Sequence, residues 1–203
     1  VPELVVKAER RFEKKKEGLG VGLKWIETQD ELRYSDPKKV IKAAELNVNE
    51  VELELLPQFL GVVGSAWRML FHLNSAQHAI SAGIRMVKEY DQLTLGRLLQ
   101  RLSYVSADHG NYREALALAE RSGTLFLHIG DDGALGKALV DQGIWLLYSG
   151  QSTCAAATLK IALKLLPDDC ARNRFCALQT LGLAFQSMGR LDSALRNLDL
   201  ARE

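Results

Sequence analysis

The chain has 203 residues, of which 47% are hydrophobic and 25% are charged, and its formal net charge is +1. These values are typical of a folded, water-soluble protein and exclude a global field that would recruit nucleic acid or an anionic membrane. No apolar run reaches the roughly 18 residues that a membrane span needs, and no signal peptide is recognisable. Three cysteines, Cys154, Cys170 and Cys176, form no CxxC pair, which favours free thiols and a cytoplasmic location.

The first predicted element is an amphipathic helix with apolar residues at helical spacing from Leu4 to Phe12. Three lysines follow at 14–16 and make its polar face basic. The glycine-rich run 18–22 has no preceding strand and no following Lys-Ser or Lys-Thr, so it predicts a joint rather than a phosphate-binding loop. We expect residues 1–20 to form this basic helix and its joint.

Residues 21–95 predict helices with a less regular pattern. A helix over 23–34 is expected to turn at Ser35. Asp36 then supplies an N-cap, with a proline at the first position of the helix Pro37–Asn47.

The next predicted helix is long and runs from Asn49 to His72. The segment 51–56, VELELL, alternates like a short strand but continues into this helical pattern, so we interpret it as helix. A turn at Asn74 and a further helix to Tyr90 complete the segment.

Near-constant turn spacing is the strongest pattern in the sequence. Gly110, Gly150 and Gly189 each separate two apolar helical runs, and with turns at Ser35 and Asn74 the spacings are 39, 36, 40 and 39 residues. A helix pair of this size cannot bury its apolar face alone, so copies must stack. The sequence predicts an all-α repeat protein.

The residues around these turns resemble tetratricopeptide repeats, whose small residues lie where helices approach closely. The pair that turns at Gly150 carries the fullest set of matching positions: Leu139, Gly143, Leu146, Ala155, Leu159, Ala162 and Pro167. The resemblance covers 96–203, with three well-matched repeats of which the last is uncapped, and extends loosely over 21–95. There Trp67 stands where the family has a small residue. The resemblance implies a right-handed α-solenoid of stacked antiparallel helix pairs. The period of about 39 residues resembles the arrays of large bacterial regulatory proteins.

In this family the first helix of each pair lines a concave groove that holds a peptide or partner domain. Transferred repeat by repeat, the groove positions imply these partner-binding residues: Arg68, His72, Arg97, Gln100, Tyr104, Asp108, Lys137, Ile144, Leu147, Tyr148, Gln179, Leu183 and Gln186. Their cationic, amide and aromatic groups suit a peptide backbone with an acidic or aromatic side chain.

The hypothesis is therefore a non-enzymatic interaction module, the scaffold or sensor part of a larger bacterial regulatory protein. One alternative is a nucleic-acid-associated regulator that uses Arg10, Arg11 and Lys14–Lys16, although so few charges provide little phosphate affinity. Another is a sensor of a small ligand. The spacing of histidines and cysteines favours neither a metal site nor a nucleophile with its base, so no cofactor is expected.

Two further expectations concern the chain ends. A start at Val1 rather than Met leads us to expect a piece of a longer protein. No polar capping helix follows the apolar residues Leu191–Ala201, so we expect further repeats or self-association through this uncapped repeat.

Overall fold

The computed structural model describes residues 1–14 and 22–202. Within them the chain forms eleven α-helices and one 3-10 turn, Leu53–Leu55. The helices are α1 (Glu3–Glu13), α2 (Leu23–Leu32), α3 (Pro37–Asn47), α4 (Leu56–Met69), α5 (Leu73–Met86), α6 (Gln92–Asp108), α7 (Tyr112–Ile129), α8 (Asp132–Tyr148), α9 (Ser152–Leu165), α10 (Ala171–Ser187) and α11 (Leu191–Leu200). The chain divides into two compact units, unit 1 (Val1–His109) with α1–α6 and unit 2 (Gly110–Glu203) with α7–α11.

Aspartate side chains begin three of these helices. Asp36, the N-cap of α3, accepts a hydrogen bond from the Lys39 amide, and Asp91 and Asp131 accept equivalent bonds at the starts of α6 and α8. Each bond satisfies a helix amide that has no partner within the helix. The sequence-based prediction of an N-cap at Asp36 is confirmed.

One predicted turn is wrong by three residues. Asn74 lies inside α5, and the chain turns instead at Phe71, whose φ of 60° is in the left-handed region. Gly110, Gly150 and Gly189 adopt the same conformation, so the turns from Phe71 onward are 39, 40 and 39 residues apart. The corrected register places Gly64 seven residues before its turn, as Gly143 and Gly182 are before theirs.

These three glycines allow the two helices of each pair to approach closely. A Cβ at Gly64 would lie 2.5 Å from Cγ1 of Ile80. At Gly143 it would lie 2.5 Å from Cγ of Leu159, and at Gly182 it would lie 2.8 Å from Cγ of Leu198. Each of these partners lies nine residues after its turn, so the same contact recurs in three helix pairs.

The long helix predicted from Asn49 to His72 is also wrong. The 3-10 turn Leu53–Leu55 precedes α4, which begins at Leu56 with Pro57 in its first turn and ends at Met69. Proline fits a helix start because the amide that it lacks would have no partner within the helix.

Each unit has its own apolar core. In unit 1, α1 packs against α4 and α5, and Leu4, Val5 and Ala8 are buried in the core with Phe59 and Leu60 of α4. In unit 2, buried alanines and leucines of α9 and α10 form the centre of the core. Within residues 1–14 and 22–202, every helix falls short of the length and apolar character that a membrane span requires.

Candidate partner-binding face

Helices α2, α4 and α6 of unit 1 pack side by side and share a polar face. Gln58 of α4 donates to the Thr94 hydroxyl of α6 at 3.2 Å, and Arg101 of α6 donates to the Ser65 hydroxyl of α4 at 2.7 Å. Arg101 also donates to Asp30 of α2 at 2.7 Å. We call the surface formed by these side chains the first-helix face of unit 1. Its hydrogen bonds fix the positions of the side chains relative to one another.

Arg68 joins α4 to α6 at the end of this face. Its Nε lies 2.6 Å from Oδ2 of Asp108, and its Nη2 donates to Oδ1 at 3.3 Å. The guanidinium carbon also lies 4.8 Å from the centre of the Tyr104 ring. The planar guanidinium thus binds a carboxylate along its edge while its face covers an aromatic ring, which fixes its orientation.

Deeper in the face, Asp30 forms ion pairs with two arginines, Arg101 and Arg33. Burial lowers the pKa of Arg101, whereas the nearby Asp30 carboxylate opposes that shift. Arg33 forms a salt bridge to the same carboxylate. Since Asp30 binds two guanidinium groups, this part of the face is organised before any partner arrives.

In unit 2 the last two turns of α8 carry aromatic and apolar side chains. Tyr148, which is exposed at the end of α8, stacks on Tyr112 of α7 with ring centres 5.4 Å apart and planes 11° apart. Trp145 lies one turn earlier, with its ring centre 6.4 Å from that of Tyr148. Ile144 and Leu147 pack partly into the core of unit 2.

No family model matches this sequence, and no curated protein matches it. Solved structures do match its fold. The crystal structure of BtubC (BKLC) from P. vanneervenii is 14% identical, with a TM-score of 0.71 over 100% of this chain and 91% of that chain. The TPR-like repeats of a Podosopora anserina kinesin light chain are 14% identical, with a TM-score of 0.65 over 87% and 92%. YrrB, "a TPR protein with an unusual peptide-binding site", is 16% identical, with a TM-score of 0.54 over 96% and 90%.

The chain has a tetratricopeptide-like fold. The expected fold class, an all-α solenoid of antiparallel helix pairs, is thereby confirmed. The fold also explains why successive first helices pack side by side within a unit, since each tetratricopeptide-like pair contacts its neighbours.

Of the thirteen residues expected to line the tetratricopeptide groove, none is buried. Arg68, Tyr104 and Asp108 come together at one site, while Lys137 on α8 and Gln179, Leu183 and Gln186 on α10 are exposed on the first helices of unit 2. The prediction that His72 lies on a first helix is wrong. Because the chain turns at Phe71, His72 is the N-cap of α5, the second helix of its pair. Arg68 remains on a first helix, three residues before its turn.

Sequence reasoning missed Gln58, Ser65, Arg101 and Asp30. The register error hid Gln58, which lies thirteen residues before Phe71, as Arg97 and Lys137 do before their turns. No local pattern could have revealed the bond from Arg101 to Asp30, because 71 residues separate the two.

The basic patch expected on the first helix is smaller than its sequence indicates. Arg11 is buried and donates hydrogen bonds to the carbonyl oxygens of Val48 and Val51. Lys15 and Lys16 lie outside the described residues, as does most of the expected joint at 18–22. Arg10 on α1 and Lys14, the residue after α1, are exposed. One of the five cations on which the nucleic-acid alternative depends therefore stabilises the fold.

The described residues give little support to a metal site or to a reactive cysteine. No group of three His, Cys, Asp or Glu side chains there could hold a metal ion. The three cysteines are unpaired, and burial raises the pKa of Cys176, which makes its thiolate less available.

Proposed function

We propose that this chain is a non-enzymatic protein-interaction module whose first-helix faces bind an extended segment of a partner protein. The observation that carries this proposal is the first-helix face of unit 1, where arginines and carboxylates from three helices form a connected polar surface. Side chains that are ordered before binding lose less conformational entropy when a partner arrives. A surface of this kind suits recognition of a peptide.

The chemistry of the face supports binding to a polypeptide. Gln100, which is half-buried, can form hydrogen bonds with a peptide backbone, and the partly exposed ring of Tyr104 can contact an apolar side chain. Arg97 is exposed and adds a positive charge. Among the similar structures, YrrB is described as having a peptide-binding site, which agrees with this use of the fold.

We further propose that the chain is the scaffold or sensor part of a larger bacterial regulatory protein that works in the cytoplasm. The long repeat period and the odd number of cysteines support this context. The arginines, carboxylates and amides of the face suit binding better than nucleophilic or general-base chemistry, which needs an activated group next to its base.

Selection from a random peptide display library tests the proposal. We expect the immobilised chain to enrich peptides that the double variant Arg97→Ala/Tyr104→Ala no longer binds. The matched control is Arg10→Ala/Tyr90→Ala, which removes the same residue types from exposed positions outside the face. Failure to enrich any peptide, or equal loss in both double variants, would overturn the proposal.

A further inference from the structure

A small cleft opens on the first-helix face of unit 1. It encloses about 90 Å³ between α2, α4 and α6. Its apolar surface comes from Ile26, Val62 and Leu98, which are almost fully buried, and from Leu23, which is half exposed. Because a cavity of about 150 Å³ accommodates benzene, this smaller cleft suits a three- or four-carbon aliphatic side chain and is too small for an indole.

The cleft keeps its shape because α4 has a glycine beside it. A Cβ at Gly61 would lie 2.5 Å from Cδ2 of Leu98 and 3.3 Å from Cδ of Arg101. Any larger residue would push both side chains away. Arg101 is held in turn by Ser65 and Asp30, so the wall of the cleft is rigid.

The charges around the cleft are unevenly distributed. Asp30 is shared by Arg33 and Arg101, whereas Arg97 on α6 forms no ion pair or hydrogen bond with the residues that the structure describes. Glu27, on the α2 side, also lines the cleft and would repel an anion placed there. A ligand carboxylate is therefore favoured on the α6 side, next to Arg97.

We infer that this cleft recognises an acidic side chain next to a small aliphatic one in an extended segment of a partner protein. The aliphatic group fills the space between Ile26, Val62 and Leu98, and the carboxylate pairs with Arg97. This inference rests on the proposed function, and it adds the chemical class of segment that unit 1 selects.

Four synthetic peptide pools test the inference by fluorescence anisotropy with the full 203-residue chain. Each pool has random flanks around a fixed pair, Leu with Glu, Leu with Gln, Leu with Lys, or Trp with Glu, in either order. We expect the Leu/Glu pool to bind roughly tenfold more tightly than the Leu/Lys pool, as attraction gives way to repulsion at a partly exposed site. The Trp/Glu pool should bind more weakly than the Leu/Glu pool.

Charge reversal distinguishes the cleft from general attraction of acidic peptides. Arg97→Glu should invert the preference toward Leu/Lys, whereas the matched variant Arg10→Glu, on α1, should leave it unchanged. Because Arg97 is exposed, its replacement should not alter the melting temperature. Equal binding of all four pools, or a preference that survives Arg97→Glu, would overturn the inference and leave the proposed function standing if display selection yields ligands. Absence of ligands in both experiments would overturn both.

Discussion

Arg68 of α4 and Asp108 of α6 form a two-point ion pair across the first-helix face of unit 1, with N–O distances of 2.6 and 3.3 Å. Both side chains are less than one-third exposed, which places the pair between a surface contact and a buried one. It fixes Arg68 in position over the ring of Tyr104.

A double-mutant cycle should measure this pair. Arg68→Ala and Asp108→Ala are each expected to lower the free energy of unfolding, with a coupling energy of roughly 1 kcal/mol, since two-point geometry and partial burial raise it to the top of the range for exposed pairs. Urea denaturation of the two single variants and the double variant provides the value. Additive losses within about 0.3 kcal/mol would show that the pair contributes nothing to stability.

Close helix contacts should be intolerant of larger residues. Gly64→Leu and Gly182→Leu would drive a side chain into Ile80 and Leu198, and Ala155→Phe would overfill a site that has no exposed surface. We expect each to destabilise the chain by roughly 1–3 kcal/mol or more. Thermal melting should show no comparable loss for Ala117→Leu, whose site on α7 is exposed. Melting like that of the wild type for all three variants would contradict the repeat register.

The turn at Phe71 predicts a stabilising substitution. Its φ of 60° is unfavourable for a residue with a Cβ, and its side chain is 84% exposed, so little packing is lost on removal. Phe71→Gly should raise the free energy of unfolding by about 0.5–1 kcal/mol, after the greater entropy of glycine in the unfolded chain is included.

Phe71→Ala is the matched control, because it removes the ring and keeps the Cβ. Denaturation midpoints that coincide for the glycine and alanine variants would mean that the left-handed conformation at this turn carries no strain.

The turn at Phe71 separates the parts of the fold that could be predicted from the sequence from those that could not. The glycine turns and the N-cap at Asp36 could be predicted, because few residue types have the required backbone geometry or hydrogen bond. The helix pairs could be predicted from the apolar runs on either side of each turn. The turn before α5 could not be predicted in this way, since Asn74 is better suited to a left-handed turn than Phe71. Gly64 could have indicated the correct turn, because it lies seven residues before Phe71, as Gly143 and Gly182 lie seven residues before their turns.

The candidate site was predictable to a smaller extent. Family positions indicated Arg97 and Tyr104 because both lie on a first helix. The ion pairs of Arg68 with Asp108 and of Arg101 with Asp30 depend on how helices pack, and side-chain pairing over tens of residues leaves no periodic signal. The role of Arg11 could not be predicted for the same reason. It lies in a basic segment of the sequence, yet it is buried and donates hydrogen bonds to two carbonyl groups.

The apolar surface of α11 predicts self-association. Leu191 and Leu195, one turn apart, are 62% and 61% exposed on this last helix. If this face binds a second copy, sedimentation velocity should show a concentration-dependent dimer that Leu191→Glu/Leu195→Glu abolishes. Leu46→Glu/Leu127→Glu provides a control at equally exposed leucines elsewhere. A wild-type chain that stays monomeric at all concentrations would rule out this mode of association.

Site-specific photo-crosslinking in the source cells tests the central claim most directly. A benzophenone amino acid would replace Tyr104 on the first-helix face in one variant and Tyr90, which is exposed in the α5–α6 connection, in the other. We predict a discrete protein adduct from position 104 that nuclease treatment leaves intact and that is absent from position 90. Adducts of equal intensity from both positions, or an adduct at position 104 that nuclease treatment removes, would contradict a protein-binding role for this face.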